Sequence, residues 1–89
     1  MLADKVLSLL RAGKVYHETD IHRAAYHGTS RTISHHSGTI FIKDASFSLS
    51  GSGHEQEESR LTANDFKIWV EARSEQEKRV LERWVRGHS

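Results

Sequence analysis

Histidine is the residue type in this chain that most invites a test for chemistry, because seven of the 89 residues are histidines. His17, His22 and His27 are evenly spaced, and on a helix each would be turned by about 140° from the last, so they would not share a face. His35 and His36 are neighbours, and neighbours on a strand point to opposite sides. The chain has no cysteine. We therefore predict neither a metal site nor a cofactor.

A metal-independent nuclease built on histidine would need two groups with complementary protonation roles and a cation for the phosphate. Arg31 and His36 belong to one predicted hairpin, but their positions differ in parity, so their side chains face opposite sides of the sheet. The sequence contains no Gly-rich phosphate cradle and no Gly-x-Ser-x-Gly turn. We predict that the protein has no catalytic residues, with a histidine-based nuclease as an alternative.

His35 is the candidate pH-sensitive residue. It falls in an apolar row of the sheet predicted below, where one ring nitrogen is expected to bond a backbone carbonyl or water. If protonation at this place costs stability, His35 acts instead as a pH switch.

The segment DIHRAAYHGTSRTISHH resembles a helix-turn-helix, in which an alanine is followed four residues later by the turn glycine and then by a Ser-Arg-x-Thr recognition helix. Ala24 and Gly28 have this spacing. With a following hairpin as a wing, the resemblance spans residues 19–50, and it requires residues 30–36 to be helical. It implies nucleic-acid binding through three basic side chains, Arg23, Arg31 and Lys43.

The competing prediction is a three-stranded antiparallel meander over residues 31–50. With Ser37-Gly38 and Asp44-Ala45 as two-residue loops, the registers of the two hairpins agree. They place two rows on one face, Ile33 with Ile42 and Phe47, and His35 with Ile40 and Leu49. The opposite face is mostly polar and exposes Phe41, as expected of an antiparallel sheet with one buried side.

Helices are predicted on both sides of this meander. Residues 2–12 carry an apolar stripe that ends at Gly13, and residues 19–27 predict a second, short helix. Residues 51–60 are rich in glycine and charge and predict a mobile polar loop. Thr62 is expected to cap a further helix, and a capping box of Ser74 with Glu77 predicts a kink or a break.

The C-terminal segment offers more apolar surface than a three-stranded sheet can cover. Trp69 is predicted as core, whereas a charge-flanked stripe has the character of a contact surface and consists of Val80, Leu81, Trp84 and Val85. We predict that this stripe and Phe41 bind another protein, or a second copy of the chain through residues 75–86.

Composition limits the remaining function classes. The net charge is +1 with neutral histidines, so no global field attracts nucleic acid or acidic membranes. No run approaches the ~20 apolar residues of a membrane span. We predict a single α+β domain over residues 1–89, with two N-terminal helices, a three-stranded β-meander, and one kinked or two C-terminal helices on one sheet face. The expected protein is a cytoplasmic, non-enzymatic regulatory, inhibitory or accessory module, and nucleic-acid binding is the alternative.

Overall fold

The computed structural model describes residues 1–51 and 54–88, in which three helices stand against one four-stranded sheet. The elements in chain order are α1 (Leu2–Arg11), β1 (Tyr16–His22), a 3-10 turn (Arg23–Ala25), β2 (His27–His36), β3 (Thr39–Ser48), β4 (His54–Leu61), α2 (Ala63–Glu71) and α3 (Glu75–His88). The sheet is antiparallel with the strand order β1-β2-β3-β4. The predicted α+β class is confirmed. None of the described helices has the length and apolar character needed to cross a bilayer.

The hairpin at Ser37-Gly38 has the predicted register. These two residues have φ values of 51° and 78°, the pair of positive angles that a type I′ turn requires. Ile33 therefore lies opposite Ile42, and the next row on the same face pairs His35 with Ile40. All three isoleucines are buried, so this hairpin supplies the centre of the sheet's covered face.

The second predicted hairpin, at Asp44-Ala45, is wrong, because β3 runs through it to Ser48. Neither residue is the glycine that a tight turn favours. In the strand, the Asp44 carboxylate accepts two hydrogen bonds from Arg31 on β2, at 2.7 and 3.1 Å. As a result Phe47 lies opposite Gly28 on the uncovered face, and Leu49 lies beyond β3 and is exposed. Neither residue takes its predicted place in a buried row.

The predicted helix over residues 19–27 is also wrong, because this stretch ends β1, makes the 3-10 turn and begins β2. Tyr16 is buried opposite Ile33, which anchors β1 to the sheet. A short helix with so few apolar residues would be marginal, whereas tyrosine, threonine and isoleucine suit a strand. The helix-turn-helix interpretation fails for the same reason, since residues 30–36 lie within β2.

The stretch from 51 to 60, expected to be a loop, contains most of β4. Residues 55–60 are all exposed, so no alternation of buried and exposed side chains marks this strand in the sequence. Pairing with β3 defines it instead, with Ser59 opposite Ile42 and Glu57 opposite Asp44. The sheet therefore has four strands rather than the predicted three.

One cluster of buried side chains lies between the helices and one end of the sheet. Its members are Ala3, Val6, Leu7, Leu10, Tyr16, Ile33, Ile40, Ile42, Phe66, Val70 and Leu81. Both predicted helix caps form: Thr62 Oγ1 accepts from the amide of Asp65, and Ser74 Oγ accepts from the amide of Glu77, each at 3.2 Å. Since α2 ends before Ser74 and α3 begins after it, the C-terminal segment is two helices.

Candidate functional site

The sheet is longer than the helical layer that covers it. The buried side chains of its described strands lie in two adjacent rows at one end, which hold Tyr16, Ile33 and Ile42 in one row and Ile40 in the other. From there β2 and β3 stay paired as far as His27 and Ser48. Strands β1 and β4 run alongside, and both are almost wholly exposed. We call residues 17–32, 43–51 and 54–58 the projecting half of the sheet.

The two faces of the projecting half differ in charge. On the face that the helices cover elsewhere, one cross-strand row consists of Glu18, Arg31, Asp44 and Glu57, and the next of Asp20, Thr29, Ser46 and Glu55. Carboxylates therefore dominate this helix-side face. The opposite, open face carries Lys43 and Glu58 in one row. A ligand that meets the helix-side face encounters negative charge.

A cleft of about 590 Å³ separates the helix-side face from α3. Glu18, Asp20 and Thr29 line it from the sheet, and Val80 and Arg83 line it from the helix. It is formed because β1 and β2 continue past the point where α3 packs on the core. The cleft is open to solvent and combines acidic and apolar lining.

Arg31 joins the sheet to the helices at the inner end of this cleft. Its Nε and Nη2 donate to Asp44, and its Nη1 donates to Glu77 Oε2 at 3.0 Å. The guanidinium lies 5.0 Å from the ring centroid of Trp69, and the guanidinium of Arg73 lies 4.3 Å from the same centroid. The hydrogen bonding that Arg31 donates to the Asp44 carboxylate is the main cause of the raised pKa of Arg31. These two carboxylates would compete with any phosphate for Arg31, the predicted nucleic-acid contact.

Tyr16 lies where the core meets the cleft. Its ring packs edge-on against Trp84, with centroids 5.5 Å apart. Burial is the first cause that raises the pKa of Tyr16 to about 12, and the negative charge of Glu18 is the second.

We expect the protein to lose stability as the pH rises from about 10 towards about 12, the interval between the ordinary and the folded pKa of Tyr16. In that interval the unfolded chain releases the Tyr16 proton and the folded chain keeps it, so alkali favours unfolding. Below pH 10 both states are protonated and Tyr16 adds no pH dependence. Urea unfolding at several pH values measures the slope. Tyr16→Phe should flatten it, and Tyr26→Phe should not, because Tyr26 is exposed; equal slopes in both variants would contradict the assignment.

The predicted partner stripe on α3 faces the core. Leu81 is 2% exposed, and Val80, Trp84 and Val85 are half-buried against the same cluster. These side chains are used in packing, because β1, a strand absent from the predicted meander, adds Tyr16 to the sheet face that the helices cover. Binding of a partner or of a second copy through this stripe remains a prediction.

Phe41 lies on the open face of β3, as predicted, and Lys43 lies on the same face. The Arg60 guanidinium lies 5.3 Å from the ring centroid of Phe41. The Glu58 carboxylate lies between the two cations, 3.4 Å from Arg60 and 3.9 Å from Lys43. The side chain of Arg23, the third predicted nucleic-acid contact, lies outside the described structure.

The histidines are distributed over the sheet. His35 is half-buried opposite Ile40, in the row predicted for it. His22 and His27, which a helix would have separated, meet across β1 and β2 with ring centroids 4.9 Å apart. The His17 ring lies 3.0 Å from the hydroxyl of Thr32. Among residues 1–51 and 54–88, histidine, aspartate and glutamate form no group of three that could hold a metal ion.

An apolar cluster at the far end of the projecting half has no counterpart in the sequence predictions. It consists of Ile21, Tyr26, Phe47 and Leu49, and we call it the end patch. Ile21, Tyr26 and Leu49 are 48%, 73% and 46% exposed. Phe47 packs over Gly28, where an added Cβ would lie 2.5 Å from the ring, and the Leu49 amide donates to the Tyr26 carbonyl at 2.9 Å. Strand pairing brings these residues together. The spacing of the four residues in the sequence therefore does not predict the end patch.

The comparisons with known proteins found nothing similar. No family model, no curated protein and no solved structure matches this chain.

Proposed function

We propose that this protein is a non-enzymatic module that binds another protein through the projecting half of its sheet. The observation that supports this function is that the sheet is longer than the layer of helices that covers it. Strands β2 and β3 pair over ten residues, yet the core occupies only one end of them. A sheet gains most of its stability from a face packed against another layer. An extension that, within residues 1–51 and 54–88, has no second layer packed over it is therefore better explained as a surface kept for contact.

The end patch favours a protein as the partner. Single exposed apolar residues are common on protein surfaces, but a group that contains aromatic and aliphatic side chains is typical of contact sites. Tyr26 is the most exposed member, and tyrosine is enriched where binding energy is concentrated. A regulatory, inhibitory or accessory role is consistent with such a module.

Nucleic-acid binding is the second candidate, because Phe41 lies near Lys43 and Arg60 on the open face. Proteins hold single strands by stacking bases on aromatic rings beside cations. Glu58 lies close to both cations and offsets their charge. The helix-side face is acidic as well, so we place nucleic acid second and make it an outcome of the experiment below.

Site-specific photocrosslinking in the cells of origin tests the proposed function. A photoreactive phenylalanine analogue replaces Tyr26 or Leu49 in the end patch. The matched control is Ile68 on α2, which is 69% exposed and lies outside the patch. We expect discrete products heavier than the chain from Tyr26 and Leu49 and none from Ile68, because isolated exposed residues need no partner.

Four results would contradict the proposal. Absence of products from both Tyr26 and Leu49 would show that the end patch contacts no partner. Equal products from all three positions would show non-specific contact. A product of twice the chain mass would identify a second copy as the partner, and a product removed by nuclease would identify nucleic acid.

A further inference from the structure

We propose that the cleft between β1 and α3 binds an extended basic segment of the partner protein, which adds to β1 as a fifth strand. This inference rests on the proposed function and specifies the chemistry of the partner.

The outer edge of β1 is open to pairing with another strand. Strand β1 is first in the sheet order, and among the described strands it pairs only with β2. Its residues from His17 to His22 are all exposed. Within the described part of the chain, no group hydrogen-bonds to the outward-facing N–H and C=O groups of these residues. Such an edge presents alternating donors and acceptors to another extended chain.

Helix α3 lies across the cleft from that edge. The cleft is lined by residues of β1, β2, α2 and α3 and by Ser74 just before α3, and none of its described lining residues comes from β4. A strand added to β1 would direct every second side chain into the cleft. Those side chains would lie between Glu18 and Asp20 on the sheet and Gln76 and Val80 on α3. The β1 edge thus offers side-chain contacts as well as backbone pairing.

The charges that line the cleft favour a basic strand. Glu18 and Asp20 occupy alternate positions of β1 and face the cleft. Arg31, opposite Glu18, already donates to Asp44 and Glu77, so its charge is offset. Arg83 is the remaining cation of the described lining. Lysine or arginine at alternate positions of an incoming strand would lie opposite Glu18 and Asp20, where opposite charges stabilise a strand pair.

The same charges disfavour a second copy of the chain. If two copies paired antiparallel about Thr19, each Glu18 would lie opposite Asp20 of the other copy, and like charges in that arrangement are destabilising. The other edge, β4, carries Glu55, Glu57 and Glu58, so pairing of β1 with β4 of another copy would also bring carboxylates together. The acidic edges therefore select against self-pairing and for a basic strand.

The open face of β1 determines which side chains suit the remaining positions of the added strand. Side chains of the added strand that point away from the cleft would lie beside His17, Thr19 and Ile21. Ile21 belongs to the end patch and is exposed. An apolar residue of the partner suits this position, so the segment that fits alternates basic with apolar residues.

A titration with a synthetic peptide tests this inference on the full-length protein. The probe is a peptide of alternating lysine and valine, about eight residues long, which is the length of a typical long strand. We expect backbone amide shifts and slowed hydrogen exchange at residues 17–22. Substituting Glu18→Gln and Asp20→Asn together should weaken binding about tenfold, because two cross-strand charge pairs are lost.

Two controls separate strand addition from general attraction. The double variant Glu55→Gln and Glu57→Gln removes the same charge from the same face at β4, and it should change the affinity less than twofold. A peptide methylated at alternate backbone nitrogens cannot donate to the strand edge, and it should not bind.

Four results would overturn the inference: no shifts at millimolar peptide, shifts outside β1 and the cleft, equal weakening by both double variants, or undiminished binding of the methylated peptide. None of them affects the proposed function, since crosslinking from the end patch is measured separately. Failure of crosslinking at Tyr26 and Leu49 would remove the proposed function even if the peptide bound.

Discussion

Phe66→Ala is expected to lower the free energy of unfolding by about 3–5 kcal/mol, the usual cost of removing a phenylalanine from a packed core. Phe66 is fully buried on α2, and its ring stacks against Trp69 with centroids 5.7 Å apart. It is the largest of the fully buried side chains in the described structure. A domain of this size is stable by about 5–10 kcal/mol in total, so the variant should be close to unfolding.

Urea denaturation followed by tryptophan fluorescence measures this loss. The control is Ile68→Ala, two positions further along the same helix and exposed. It should change the unfolding free energy by less than about 0.5 kcal/mol. If the two variants were equally destabilised, the face that α2 turns to the core would be misassigned.

Arg31→Met is expected to cost about 1–2 kcal/mol, the second largest effect. Methionine keeps an apolar side chain near Trp69 but leaves Asp44 and Glu77 without their shared cation. The loss of one partner from a fully buried ion pair costs about 3–5 kcal/mol. The side chains of Arg31, Asp44 and Glu77 are 29%, 42% and 46% exposed, so solvent relieves part of that cost.

Arg31→Lys is the matched variant, because it keeps the positive charge but cannot bond both oxygens of Asp44 at once. Its stability should fall between the wild type and Arg31→Met. A wild-type stability for Arg31→Met in urea would show that the cluster contributes nothing to the fold.

The elements that were predicted correctly are those that are determined by a few neighbouring residues in the sequence. The positive φ at Ser37 and Gly38 follows from a two-residue turn, and the caps at Thr62 and Ser74 follow from short patterns. Strand β4 could not be found in this way, because a strand exposed on both faces has no apolar alternation. Asp44 looked like a turn residue because Arg31, its partner thirteen positions earlier, is visible only once β2 and β3 are paired.

The candidate site was predicted only in part, and for the same reason. Phe41 lies on the open face that alternation assigned to it, and Lys43 shares that face. Asp20 fell at the start of a predicted helix and Glu18 just before it, so neither the acidic cleft nor the β1 edge could be inferred. The end patch joins residues from β1, from the turn before β2 and from the end of β3, and no local sequence pattern links these segments.

The uncovered length of the sheet has a consequence for how long a complex would last. Backbone pairing without a packed layer opens at a lower free energy than the core does, so this part of the molecule should fluctuate as a separate cooperative unit. A partner that orders it must offset the lost entropy, which lowers affinity and shortens residence time. Substitutions that stiffen these strands, without touching the contact surface, would then slow dissociation.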